Sequence, residues 1–247
     1  DTMSFPTGVF YDVENDKVFV VDQGNNRVLI WNSLPRDSGQ PADVVIGQKD
    51  FVSRSPNMGK GEGRASQESM YFPNDVVAGK TGFFVSDTGN NRVLYWKEIP
   101  TENGQPADMV FGQANFFENR HNRSGQANAT TLNDPYGLWL EEEENPEWVP
   151  PEENALEETQ EEETLDESSS GEEEETVEEE IPEYLFKLFI ADRGNSRVAV
   201  WNELPIPPTD ESEGDEDDHI EIEDPNLLIG DDDEEDEGDS PEGLPSV

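Results

Sequence analysis

The chain has 247 residues, 32% of them hydrophobic, with 60 Asp and Glu against 15 Lys and Arg and a net charge of −45. It holds no cysteine, which excludes a disulfide framework and a thiolate metal site, and no apolar run approaches the ~18–20 residues of a membrane-spanning helix. Residues 1–140 carry 17 acids and 12 bases, whereas 141–247 carry 43 acids and only Lys187, Arg193 and Arg197, so the first part reads as globular and the second contains self-repelling tracts.

The chain opens "DTMSFPTGV", without the basic and apolar segment of an export signal, and reads as starting inside a repeat. Four short apolar runs follow: "GVFYDV" (8–13), "KVFVVD" (17–22), "RVLIW" (27–31) and "DVVIG" (43–47). Val, Ile, Phe and Trp dominate them, and "NDK", "QGNN" and "RDSGQP" break them apart, which predicts strands of ~5–6 residues. Several runs are apolar on both alternating faces, as in a sheet covered on both sides. A polar connector, "RSPNMGKGEGRASQES" (54–69), leads into a second copy 65 residues on. There "DTGNNRVLYW" (87–96) repeats "DQGNNRVLIW" (22–31), and "GQPADMVFGQANF" (104–116) repeats "GQPADVVIGQKDF" (39–51). After a second connector, "ENRHNRSGQANATT" (118–131), a third copy begins at "DPYGLWL" (134–140). An acidic run at 141–183, with 22 acids and no base, separates it from "LFKLFIADRGNSRVAVWNELP" (185–205). A second acidic stretch (209–223) precedes "DPNLLIG" (224–230), and an acidic tail fills 231–247. The organisation is therefore three units, 1–70, 71–133 and 134–230, the last interrupted twice, followed by the tail.

A four-stranded unit repeated at a fixed period cannot bury both faces alone, and stacking such units gives a β-propeller. The expected fold is all-β, with about three antiparallel four-stranded blades, and with residues 5–140 forming two neighbouring sheets. The "D-x-G-N-x-R" motif comprises Asp22, Gly24, Asn25 and Arg27, then Asp87, Gly89, Asn90 and Arg92, then Asp192, Gly194, Asn195 and Arg197. It reads as a structural hairpin turn between the second and third strands, four residues long. In it the Gly can take φ > 0 without penalty and the Asn tolerates it, and the Asp accepts hydrogen bonds from its own turn's amides, at or near 24–27, 89–92 and 194–197. Each Arg ties one blade to the next. Trp31, Trp96 and Trp201 end the third strands, where a large ring fills the wedge between sheets.

These residues resemble the NHL repeat: Pro6 to Val9 with Asp22 to Val28, Pro73 to Val76 with Asp87 to Val93, and Pro135 to Leu138 with Asp192 to Val198. The resemblance implies a β-propeller of six blades, closed either by blades beyond this fragment or by pairing of two chains, of which the first is the expectation. The chain departs from it in the added "GQPAD-x-V-x-GQ-x-x-F" segment, which supplies the outermost or the innermost strand. In the third copy Ser196 stands for the second Asn.

Some propellers of this look are enzymes, lactonases with a central calcium or zinc and an NHL-type lyase, and such sites need His or convergent carboxylates at several blades. Only His121 and His219 are present, neither at a repeated position, and no nucleophile motif or phosphate-cradling loop occurs. No residue is assigned to catalysis, to a cofactor or to a metal; a metal ring of Asp22, Asp87 and Asp192 is the rival to turn capping. Arg27, Arg92 and Arg197 are one per blade and outnumbered by acids, which argues against a nucleic-acid partner. The acidic tracts read as solvated and disordered, with only weak divalent-cation binding at "GDEDD" and "DDDEEDEGD", which lack the spacing of a tight calcium loop. The functional expectation is a non-enzymatic binding or scaffold module for a protein or carbohydrate ligand, on an exported protein (periplasmic, cell-surface or extracellular), with the connectors 54–69 and 118–131 supplying specificity. The alternative is a metal-dependent lactonase or lyase whose ligands lie on further blades.

Overall fold

The computed structural model describes residues 2–148 and 182–205. Within them the runs of β-branched and aromatic residues form eleven strands, and helix is confined to five 3₁₀ turns of three or four residues. The first sheet is antiparallel and follows chain order: β1 (Pro6–Asp12), β2 (Lys17–Asp22), β3 (Arg27–Trp31) and β4 (Val44–Ile46). The second repeats it with β5 (Val76–Gly79), β6 (Gly82–Asp87), β7 (Arg92–Trp96) and β8 (Met109–Phe111). The third has β9 (Pro135–Glu144), β10 (Tyr184–Asp192) and β11 (Arg197–Trp201) in the same arrangement. The chain is all-β and antiparallel. The fourth run of the third copy, the stretch 209–223 and the tail 231–247 lie outside the described residues.

Successive side chains of a strand point to opposite faces, so each sheet has a front and a back. The front of the first sheet (Phe19, Val21, Val28, Ile30 and Ile46) packs on the back of the second (Val76, Phe83, Val85, Leu94 and Trp96) in one cluster. The front of the second (Val77, Phe84, Val93, Tyr95 and Phe111) packs on the back of the third (Leu138, Phe186, Leu188, Ile190 and Ala199) in another. Phe19 meets Phe83 at 5.0 Å between ring centroids, and Phe84 meets Phe186 at 6.0 Å. β1 lies beside β5, and β5 beside β9. Trp96 sits in the first interface, edge-on to Phe83 at 5.6 Å, and Trp201 in the second, edge-on to Phe111 at 5.8 Å.

The "GQPAD" segments lead into β4 and β8, the edge strands opposite β1 and β5. Their backbone is anchored by indole donors: Trp31 Nε1 donates to the Gln40 carbonyl at 3.1 Å, and Trp96 Nε1 to that of Gln105 at 3.2 Å. The loop before β8 also covers the edge of the preceding sheet. Val45 N–H donates to Asn103 Oδ1 at 3.0 Å, and Gly104 N–H donates to the Val45 carbonyl at 2.8 Å. An edge that would template foreign pairing is thereby closed.

The acidic run begins differently from the expected unpacked excursion at 141. β9 continues through Glu144, with Glu141–Glu144 paired to Lys187–Tyr184 of β10. The cause is local: the Glu142 carboxylate accepts from Lys80 N–H at 3.1 Å, Thr81 N–H at 2.6 Å and Thr81 Oγ1 at 2.5 Å, in the turn between β5 and β6. The hairpin root closes at Asn145, whose N–H donates to the Glu183 carbonyl and whose Nδ2 donates to that of Pro182, both at 2.8 Å. The rest of the run, 149–181, lies outside the described residues. Among those described, no helix is long and apolar enough to cross a membrane.

Candidate functional site

The repeated motif forms the turns 23–26, 88–91 and 193–196, each a 3₁₀ turn whose fourth residue is left-handed: Asn26 and Asn91 at φ 54° and Ser196 at φ 52°. The expectation that the glycine takes φ > 0 is corrected. Gly24, Gly89 and Gly194 keep ordinary φ, and they are required because another segment passes too close for a side chain. Gly89 N–H donates to the Tyr71 carbonyl at 2.8 Å, and a Cβ on Gly89 would stand 2.5 Å from that oxygen. Gly24 and Gly194 donate in the same way to the carbonyls of Ser4 and Asn133.

The expected role of the aspartates is corrected too. Asp87, fully buried, accepts from Tyr71 N–H at 2.7 Å, Asn90 Nδ2 at 2.7 Å and Arg92 Nε at 2.8 Å. Asp22 accepts from Ser4 N–H at 2.6 Å, Asn25 Nδ2 at 2.9 Å and Arg27 Nε at 2.7 Å. Asp192 accepts from Asn133 N–H at 2.8 Å, Asn195 Nδ2 at 2.8 Å and Arg197 Nε at 2.6 Å. Their backbone donor is thus the segment leading into the first strand, not the turn itself, whose closing amide is taken by the 3₁₀ bond from Asn91 N–H to the Thr88 carbonyl. Burial pushes the Asp87 carboxyl upward, while the Arg92 guanidinium and the N–H donors pull against it.

The arginines hold the connectors. Arg92 Nη2 donates to the carbonyls of Ser66 at 3.0 Å and Ser69 at 2.9 Å, and its Nη1 to that of Phe116. Arg27 Nη1 donates to the Phe51 carbonyl, and Arg197 Nη2 to those of Asn128 and Thr131 at 2.8 and 2.6 Å. Asn90 exchanges amide bonds with Asn57 at 2.8 and 3.2 Å, as Asn195 does with Asn122 at 2.9 Å both ways. The connectors, unlike in sequence, therefore share a frame. Asn57 with Met58, and Asn122 with Arg123, form left-handed pairs at the same repeat positions. The 65-residue period places Asn57 on Asn122 and Gln48 on Gln113, the signal that reveals this.

These turns converge on one end of the sheets. There the residues following each aspartate, Gln23, Thr88 and Arg193, line a cavity of about 300 Å³ together with Phe72, Asp134 and Tyr136. Arg193 lies over the Tyr136 ring at 4.4 Å and pairs with Asp134 at 2.6 Å. Phe5, Phe72 and Asp134, each preceding a proline, are left-handed at φ 48°, 47° and 58°. Phe72 N–H donates to Asn26 Oδ1 at 2.9 Å and Asp134 N–H to Asn91 Oδ1 at 2.8 Å, so the turn of one copy fixes this backbone in the next. Such a conformation costs about 1–3 kcal/mol, and it turns Phe5 and Phe72 outward, 79% and 45% exposed.

Asp75, missed in the sequence because it stands where the other copies have glycine, is half-buried between sheets. It accepts Leu138 N–H at 2.9 Å and Val76 N–H at 3.0 Å, and burial raises its pKa. Among the described residues no three His, Cys, Asp or Glu side chains gather into a metal-binding group. His121 is exposed, and His219 lies outside the described residues. A comparison with protein-family models finds no match, and neither does one with curated proteins.

Proposed function

We propose that the chain is part of a six-bladed, NHL-type β-propeller that works as a non-enzymatic binding or scaffold module on an exported protein. Its ligand, a protein or a carbohydrate, is bound at the turn end. The observation that carries this reading is the convergence of Gln23, Thr88 and Arg193 from three sheets on one cavity. The strained, outward Phe72 in its lining supports the same reading, because such strain persists where the surroundings over-determine it and clusters at ligand sites. Aromatic faces with a few fixed polar groups are the usual lining of a binding pocket. The acidic run leaves from the opposite end, since β9 and β10 pair Pro135 with Asp192 at one end and Glu144 with Tyr184 at the other. An array of immobilised glycans and peptides probed with the labelled chain tests the proposal. Binding to a defined set, weakened at least tenfold by Phe72→Ala or Arg193→Ala and unchanged by Lys97→Ala, is expected; no binding, or binding indifferent to both, refutes it.

A further inference from the structure

At the turn end the repeat separates a fixed frame from a varied lining. The Asp, Gly, Asn and Arg of the motif are identical in the three copies. The residue before the proline, by contrast, is Phe5, Phe72 or Asp134, and the residue after the aspartate is Gln23, Thr88 or Arg193. Varied residues presented by a rigid frame are the arrangement of a recognition surface. The charges in the cavity cancel: Arg193 donates from Nε to Asp134 Oδ2 at 2.7 Å and lies over the Tyr136 ring at 4.4 Å. A cationic ligand would have to displace Arg193 from both, and an anionic ligand would have to displace Asp134. What the lining offers without breaking that pair is neutral. Gln23 Nε2 donates to Asn74 Oδ1 at 3.3 Å and Thr88 Oγ1 to the Pro135 carbonyl at 2.6 Å, which leaves an amide oxygen and hydroxyl lone pairs as acceptors. Asp134 Oδ1, with no donor among the described residues, is a further acceptor. Phe72, 45% exposed and held edge-on to Tyr71 at 4.9 Å, adds an open ring.

We infer that the ligand at the turn end is an uncharged saccharide. A pyranose has a face of C–H groups that stacks on an aromatic ring, and a rim of hydroxyl donors that matches a lining rich in acceptors. A peptide brings as many carbonyl acceptors as N–H donors, and the donors of this lining, Arg193 and the Gly89 N–H, already serve the protein. The cavity of about 300 Å³ stands at the small end of ligand sites, ~300–1,000 Å³, and suits the end of a sugar chain. The inference rests on the turn end being the binding site and narrows its ligand to one class.

The test is binding of the 247-residue chain to three arrays: neutral oligosaccharides, oligosaccharides bearing uronate or sialate, and peptides. Binding confined to the neutral set is expected, with an affinity unchanged from ~0.05 to ~0.5 M salt, over which screening would weaken a charged ligand. Phe72→Ala should weaken it about tenfold by removing the stacking face. Asp134→Asn suits the left-handed φ of 58° at that position and keeps the N–H bond to Asn91, and an unchanged thermal melt checks its fold. It releases Arg193 and should shift preference toward the acidic oligosaccharides. Binding to peptides alone, abolished by Phe72→Ala, would overturn the saccharide and leave the turn end as a binding site. Preference of the wild type for acidic oligosaccharides, or a preference unmoved by Asp134→Asn, would overturn the uncharged ligand. No binding to any array would overturn both readings.

Discussion

Asp87 is a carboxylate without water, held by Tyr71 N–H, Asn90 and Arg92, the last also fully buried. Removing one partner of such a pair leaves an uncompensated buried charge, so Asp87→Ala should cost about 3–5 kcal/mol in urea unfolding. Asp192→Ala should cost less, because Arg197 is 30% exposed and water can take its place. Tyr95 gives a second residue-scale prediction. Burial pushes its pKa up to about 12, with Asp108 adding to the shift, and its hydroxyl donates to the Thr81 carbonyl at 2.8 Å. The folded pKa lies above the unfolded value of about 10, so this stabilisation is complete below pH 10 and is lost as pH rises towards 12. Absorbance titration at 295 nm should show a late-ionising tyrosine that Tyr95→Phe removes. The motif residues themselves were legible because they recur, but their roles were not. A repeated Asp or Gly marks a constraint without saying which segment imposes it, and here Ser4, Tyr71 and Asn133 arrive from about 16 to 60 residues away.

At the scale of elements, the third hairpin departs most from its sequence. The strand positions followed from β-branched runs and breakers, but the continuation into four consecutive glutamates did not, because Glu runs have little strand propensity. What holds them is an acceptor role that only the neighbouring turn at Lys80 and Thr81 reveals. Glu142→Ala should therefore destabilise the fold by about 1.5–3 kcal/mol, the range for hydrogen bonds to a charged group, with Glu143→Ala near neutral; a thermal melt of each checks it. Replacing 149–181 by a short Gly-Ser link should leave the melting temperature within ~2 °C. Asn145 and Pro182 already hold the two ends together, and loop length alone changes closure entropy slowly. A large loss would assign the segment a structural role.

For the whole molecule, the account rests on sheets stacked front on back in repeat order. Apolar runs on both faces announced covered sheets, and the turn-end cavity was invisible because its members are spread from residue 23 to 193 and no local pattern joins them. The same pentapeptide type occurs as β3, β7 and β11, so intrinsic amide exchange is closely matched and differences report strand pairing and the covering of each face. Hydrogen–deuterium exchange of these three strands is the most direct measurement. The account predicts slowest exchange in β7, which has a sheet on each face, and markedly faster exchange in β11, whose front is open. Equal exchange in β7 and β11 would contradict the stacking from which the rest is argued.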